Sequence, residues 1–377
     1  MIAGQVQLYD TMAGKKVKFV AKGNFVRMFL CGPTVYDYSH LGHARMLLFY
    51  DLLARYFRSR KTRVSVVVNI TDIDQKIFDK AKAIATAPTR LAGRFINELL
   101  LDLSSLGIDG FAFARVSDHV TTARQLVTRL LEDGGAYSAG GNVYLETAAV
   151  ESFGRMARMT RQDLDDCRLD ISPAKKSQSD ILLWNASEDF GLTFHDSILG
   201  RGIPWWHMQD SSVAMASFGG LYEIHGGAGE LVYPHHESHL AQLQVLTSQS
   251  NPVKFWTHVG LVRTGGKKMS KSLGNTIAIR ELLGRYSPNA LRLYFYSKHY
   301  RDDFDFAEKE LDRFQRFDDM IAVGIQTSRR RSKLARKFFK RIEDDFDTPG
   351  ALTVLLEAAR EPSADLEVMV RVFGLRY

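Results

Sequence analysis

The sequence predicts an α/β fold, a doubly wound parallel sheet carrying an inserted subdomain and followed by a C-terminal helical domain. Three observations predict it. A strand, a glycine-bearing turn, a helix and a second strand follow one another between residues 25 and 71. Strand and helix signals of the same kind resume at residue 221. Beyond Arg280 the apolar spacing is helical to the end, with breaks at Pro288 and near Thr348-Pro349.

Each element has its own signal. "VKFVAKGNFVRMFLCG" reads as two short strands about a Lys-Gly-Asn turn, the second ending at Cys31. Gly42 to Arg58 has apolar residues at helical spacing, and "RVSVVVNIT" is a β-branched run of the sort buried on both faces of a parallel sheet. Strand, turn, helix and strand together open a right-handed βαβ unit. Amphipathic helices are expected near 90–105 and 118–134, a β-like patch at "GGNVYLE", and a polar, turn-rich segment from about 146 to 200. The second half brings strands at "LYEIHGG" and "KFWTHVGLV" around a helix beginning near "PHHESHLAQLQVL". The expected division is a domain over 1–284, with its insertion at about 110–200, and a helical bundle over 285–377.

Composition narrows the class. With 377 residues, 45% hydrophobic and 25% charged, the chain can bury a large core. No apolar run is long enough to span a bilayer, and the N-terminus lacks the pattern of a secretion signal. Two cysteines, Cys31 and Cys167, exclude a disulfide framework and suit a reducing, cytoplasmic setting. The net charge of +7 favours an anionic partner, and much of the excess lies in "RRRSKLARKFFKR" at 329–341. That run is equally a solvated helix face.

Two stretches carry chemistry. "GGKKMSKSLGN" (265–275) combines Gly265 and Gly266, which permit close backbone approach, with the mobile cations Lys268 and Lys271 and the donors Ser270 and Ser272. Such a loop suits the β- and γ-phosphates of a nucleotide. In "CGPTVYDYSHLGHAR" (31–45), Gly42 opens the N-terminus of a helix to a phosphate or adenine ring, and His40 and His43 supply donors. His-x-Gly-His alone is weak; with the lysine loop following it on a βαβ framework, the pair indicates a nucleotide site.

His40-Leu41-Gly42-His43 and Lys268-Met269-Ser270-Lys271-Ser272 resemble the two signature motifs of class I aminoacyl-tRNA synthetases. "NITDID", "DILLW", "WHMQD", "IHGGAGELVYPHHESHLAQ" and "DDFDTPGAL" narrow the resemblance to the cysteinyl-tRNA synthetase family, in which a mycothiol-pathway cysteine ligase is also included. The resemblance implies a Rossmann-like catalytic domain and an ATP-dependent ligase, using ATP with Mg2+, that forms an aminoacyl adenylate. His40 and His43 would stabilise the α-phosphate, and Lys268 and Lys271 the leaving pyrophosphate. Gly42, Gly226, Gly227, Glu230, Met269 and Ser270 would hold ATP, with Glu230 standing where the family has Asp. Gly32, Thr71, Trp206 and Asp210 would line the amino-acid pocket.

The resemblance further implies a zinc site built of Cys, Cys, His and Glu. Here the corresponding residues are Cys31, Asp210, His235 and His239. One reading keeps a metal on those four side chains, all competent zinc ligands. Another has no metal and leaves Asp210 to a substrate ammonium group or to plain structural hydrogen bonding. The chain also ends where the family continues into an anticodon-binding module, which leads to the expectation that this domain is missing. Altered pocket and length together favour a small-molecule amine over tRNA as acceptor. A tRNA-charging enzyme and an inactive paralogue serving as a sensor are the alternatives. Neither the amino acid nor the oligomeric state can be read from the sequence.

Overall fold

A computed structural model describes residues 6–20, 23–167, 169–186, 191–270, 273–327, 333–361 and 363–377. Its centre is a five-stranded parallel sheet. In spatial order the strands are Val253–Val259, Tyr222–Ala228, Phe25–Leu30, Arg63–Ile70 and Ala112–Arg115. Numbered along the chain this is 5-4-1-2-3, the doubly wound order, and the direction of winding reverses between Phe25–Leu30 and Tyr222–Ala228. The register there pairs Ile224 with Met28 and Gly226 with Leu30. A crevice opens beyond the carboxyl ends of strands at such a reversal, because the flanking crossovers leave on opposite faces.

The strand Phe25–Leu30 is followed by the helix Leu41–Ser59, whose apolar side chains Leu47, Leu48, Leu52 and Tyr56 are fully buried. Arg45, on the same helix, is also buried. Its guanidinium donates to the carbonyls of Gly260, Leu261, His299, Tyr300 and Asp302, at 2.7 Å for Gly260 and 3.0 Å for Leu261. Burial brings its pKa down to about 10, still far above neutrality, so the charge is retained.

Residues 136–204 hold a second, antiparallel sheet: Ala136–Ala139, Asn142–Leu145, Ile181–Asn185, Gly200–Pro204 and Phe194–Asp196 in spatial order. The expectation of a turn-rich stretch over 146–200 holds as far as Asp180 and is corrected beyond it, where three of these strands lie. These strands are three to five residues long, too short for periodicity to mark them, and Phe194–Asp196 and Gly200–Pro204 also carry Asp, Gly and Pro, which β-propensity disfavours. The helix Trp206–Phe218 was also missed. It is buried on nearly all sides over its first nine residues and so shows no amphipathic period.

Past the lysine loop, helices Pro288–Tyr296, Leu311–Thr327, Leu334–Ile342, Thr348–Arg360 and Leu366–Phe373 pack on one another, and the first and last of them pack against the helix Leu41–Ser59. One apolar core runs through both: Leu47 and Tyr56 share it with Leu291, Phe338 and Phe373. Arg292 and Asp51, both with fully buried side chains, form an ion pair at 2.7 Å across this contact. Among the described residues no helix is long and apolar enough to cross a membrane.

Candidate active site

A cleft of about 620 Å³ lies at the carboxyl ends of the parallel strands, at the reversal point. Cys31 and Gly32 enter it directly after the first strand, Ala228 and Glu230 at and after the fourth, and Val259 and Gly260 at the end of the fifth. His40, Gly42 and His43 line one wall, and Lys268, Met269 and Ser270 close another.

His40 is the N-cap of the helix Leu41–Ser59. Its Nδ1 accepts from Gly42 N–H at 3.1 Å, and His43 Nδ1 accepts from His40 N–H at 3.3 Å. These two bonds fix the tautomers: with Nδ1 accepting, the proton of each neutral ring sits on Nε2. The rings stack at 3.9 Å. A side chain at Gly42 would come within 2.9 Å of the His40 ring, so the glycine makes room for the cap.

The lysine loop is a hairpin. Val262–Thr264 pairs with Lys267–Lys268, and the turn residues Gly265 and Gly266 have φ of +59° and +75°. A two-residue turn with positive φ at both positions selects glycine. Open space around both positions, with nothing within 4 Å of an added Cβ, shows that the requirement is backbone conformation; the sequence reading had assigned it to close approach. Lys268 is ion-paired with Glu230 across the cleft. Met269 is buried, and Asn275 braces the loop through Ser270 N–H and the Lys268 carbonyl, both at 2.9 Å. The chain then bridges back to the histidine motif, with Leu41 N–H donating to the Ile277 carbonyl at 3.1 Å. Lys271 and Ser272 lie outside the described residues.

Gly226 and Gly227, read as nucleotide contacts, are not among the residues lining the cleft. Both answer to packing: a Cβ on Gly226 would stand 2.2 Å from the Tyr50 ring, and one on Gly227 would stand 2.8 Å from His236. Gly32 packs against the Asn69 carbonyl. Thr71 holds Val35 and Pro33 by backbone bonds and is likewise absent from that lining.

Beneath the cleft lies a bed of buried histidines. Cys31 Sγ is 2.5 Å from Asp210 Oδ2, and His235 Nε2 is 2.9 Å from the same oxygen. Asn69 donates to the other Asp210 oxygen. Trp206 stacks on His235 at 4.5 Å. Sulfur, carboxylate oxygen and imidazole nitrogen all lie within 4.8 Å of one another. Three protein ligands beside a cleft match a catalytic zinc site with an open position, so Cys31, Asp210 and His235 suit a zinc ion. His207 Nδ1, 3.2 Å from His235 Nδ1, is placed to orient that ring. His239 is not brought into this group. Its Nε2 is 2.8 Å from Tyr222 OH and its Nδ1 is 2.9 Å from Ser211 Oγ.

Burial and the Asp210 charge push the Cys31 thiol well up, so a thiolate there requires a cation. Burial raises the Asp210 pKa, but His235 and the bond from Cys31 outweigh it and hold the carboxyl below its usual range. Burial lowers His207, His225, His236, His239 and His258, the last two to about 3, which keeps these imidazoles neutral and able to bind metal.

Sequence reasoning missed His207, His225, His236 and His258, although six of the chain's eleven histidines fall between 207 and 258. It also missed Gln209. That side chain lines the cleft, donates through Nε2 to the Ile73 and Pro204 carbonyls, and leaves Oε1 buried without a hydrogen-bond partner.

Residues 17–316 match the family model of the class I (C) tRNA synthetase catalytic domain. A cysteine–tRNA ligase from Heliobacterium modesticaldum is 34% identical over 96% of this chain and 80% of its own length. One from Thermococcus onnurineus is 33% identical over 94% and 79%. In fold, the chain is similar to Mycobacterium tuberculosis methionyl-tRNA synthetase in complex with methionyl-adenylate. The TM-score is 0.67 at 15% identity, covering 90% of this chain and 82% of that one. A LeuRS–tRNA–LeuAMS complex from Agrobacterium radiobacter K84 gives 0.68 at 11% identity, over 94% and 83%.

Proposed function

The chain belongs to the class I (C) tRNA synthetase family, and on that premise we propose that it activates cysteine or another small amino acid as an adenylate and transfers it to tRNA. Membership makes it a ligase of the class I synthetase type. The single observation that carries the proposal is one cleft holding His40, His43 and Lys268 above Cys31, with Asp210 and His235 beneath.

In this reading ATP, with Mg2+, lies across the N-terminus of Leu41–Ser59. A carboxylate oxygen of the amino acid attacks the α-phosphorus in line. The bond to the bridging oxygen breaks, pyrophosphate leaves and an aminoacyl adenylate remains. The Nε2–H groups of His40 and His43 donate to α-phosphate oxygens, where negative charge builds up. Lys268 leaves Glu230 to hold the departing pyrophosphate, together with Lys271. A hydroxyl of the acceptor then attacks the carbonyl carbon and AMP leaves.

The orphan Gln209 Oε1 in the cleft wall is matched by the α-ammonium of an amino acid, a donor of the right charge for a buried carbonyl. A zinc ion on Cys31, Asp210 and His235 would supply an electrophile for a substrate thiolate.

The relatives named above are cysteine–tRNA ligases, which favours tRNA as acceptor. The preference for a small amine, drawn from the altered pocket and from chain length, finds no support in them. The helix Leu334–Ile342 adds a basic surface, with Lys333, Arg336 and Lys340 exposed, suited to phosphate contact.

Amino-acid-dependent ATP–pyrophosphate exchange, followed by transfer of labelled amino acid to total tRNA, tests the proposal. Exchange with cysteine and salt-sensitive labelling of tRNA is the expected result. Exchange with none of the standard amino acids would overturn it, and exchange with label passing only to small amines would overturn the acceptor.

A further inference from the structure

Cys31 faces two sets of ligand atoms. One is the set with Asp210 and His235. The other lies behind it: His236 Nε2 is 3.0 Å and His225 Nε2 3.5 Å from the same sulfur, and these three atoms also lie within 4.8 Å of one another. The two groups share only Cys31. His225 and His236 are 0% exposed and absent from the lining of the cleft.

Each rear imidazole is held from its far side. His225 Nδ1 is 2.8 Å from Tyr222 OH, which is 2.8 Å from His239 Nε2, whose Nδ1 is 2.9 Å from Ser211 Oγ. His236 Nδ1 is 2.7 Å from His258 Nε2, whose Nδ1 is 2.7 Å from Thr11 Oγ1. These two relays can carry their protons in either direction. In one direction every Nδ1–H donates outward: His225 to Tyr222, Tyr222 to His239, His239 to Ser211, and His236 to His258, His258 to Thr11. Every imidazole is then neutral with one proton, and both rear Nε2 atoms turn bare lone pairs to the sulfur. The thiol has one proton for three acceptors, these two and Asp210 Oδ2, whereas a cation in place of that proton would take both rear lone pairs and the sulfur together. Outer hydrogen bonds that fix tautomer and ring orientation are the usual setting of metal-binding histidines.

We propose a second metal seat, formed by Cys31, His225 and His236 and closed off from the cleft. One thiolate and two imidazoles, with no carboxylate, select a borderline or soft cation, Zn2+ or Cu+, over Mg2+ or Ca2+. The seat accounts for His239 as well: in place of binding metal it anchors Tyr222, which orients His225. The proposal does not rest on the catalytic reading, because its readouts are metal content and ligand identity.

The test uses the full chain, stripped of metal and titrated with Co2+ as a spectroscopic stand-in for Zn2+. Asp210→Asn disables the cleft-side set and should still bind one Co2+ per chain, with a near-ultraviolet thiolate-to-cobalt band. Adding His236→Asn should weaken that binding at least about tenfold, roughly 1.4 kcal/mol. Loss of Co2+ in Asp210→Asn alone, absence of the thiolate band, or equal affinity in the double variant would each overturn the seat. These positions are buried, so a measurement on the unsubstituted chain complements the variants. With one equivalent of Cu+, which prefers sulfur and imidazole to carboxylate, X-ray absorption should find one sulfur and two imidazoles. A carboxylate oxygen, or a single imidazole, in that coordination shell would refute it.

Discussion

Replacing Lys268 by alanine should slow adenylate formation while leaving the fold intact, and the size of both effects follows from its surroundings. Lys268 and Glu230 are 47% and 39% exposed, so their ion pair contributes at most about 1 kcal/mol to the resting protein. Loss of the lysine should therefore barely change the melting temperature. In the reaction the ammonium would exchange that partner for phosphate oxygens in a narrower, drier setting, where a charge-assisted hydrogen bond is worth about 1.5–3 kcal/mol. Subtracting about 1 kcal/mol for the resting pair leaves roughly 0.5–2 kcal/mol of differential stabilisation, or about 2- to 30-fold in rate. Amino-acid-dependent ATP–pyrophosphate exchange at saturating ATP measures it, with a thermal melt on the same sample. Wild-type exchange in Lys268→Ala would refute the role given to the loop. A drop that tracks a lowered melting temperature would refute the inference that the residue acts on the reaction and contributes little to the fold.

Other expectations concern the pocket, the sheet and pH. Gln209→Leu should raise the KM for the amino acid by at least about tenfold, the loss of one hydrogen bond to a charged group, with the KM for ATP unchanged; steady-state exchange kinetics in both substrates decide it. Gly226→Ala should destabilise the protein by about 1–3 kcal/mol through overpacking. The Tyr50 ring it would strike cannot retreat, because its hydroxyl is tied to the Thr257 carbonyl at 2.8 Å and to Gly227 N–H at 2.9 Å; urea unfolding reads the loss. Stability should also fall as pH drops below about 6.5. Burial lowers His207, His225, His236, His239 and His258 in the folded chain, so the unfolded chain takes up protons first and acid favours unfolding. Each such imidazole contributes up to about 1.4 kcal/mol per pH unit in that window. His258→Gln should flatten the dependence, and melts between pH 7.5 and 5.5 would show whether it does.

The sequence made the parallel sheet and the two signature motifs legible for definite reasons. Arg63–Ile70 is rich in β-branched residues because both faces of its second half, Val66–Ile70, are covered, and Leu41–Ser59 begins after a histidine that caps it. The antiparallel sheet escaped because its strands are short and irregular, and Trp206–Phe218 because a helix buried all round loses its period. In the site, Cys31, Asp210, His235 and His239 were all identified by their positions in the family's ligand set; the first three come together in space, whereas His239 turns to Tyr222. A position shared with a family does not by itself fix a partner. His225 and His236 were hidden for the opposite reason, since their partners lie far away in the chain at Cys31 and His258.

Arg45 sits two residues beyond His43, and its guanidinium grips the turn at Gly260 and Leu261, just ahead of the lysine hairpin. Some two hundred residues separate these places along the chain, among them the whole antiparallel sheet, yet this one side chain and the backbone bond from Leu41 N–H to Ile277 join them directly. The span between the two signature motifs is thus held by fixed contacts and is independent of the length of polypeptide looped out between them. Within such a frame, the insertion is constrained where it meets the cleft, at Ile203 in the lining and at the Pro204 carbonyl that holds Gln209. Arg45 is likewise constrained, since even lysine would trade five fixed carbonyl contacts for three mobile donors.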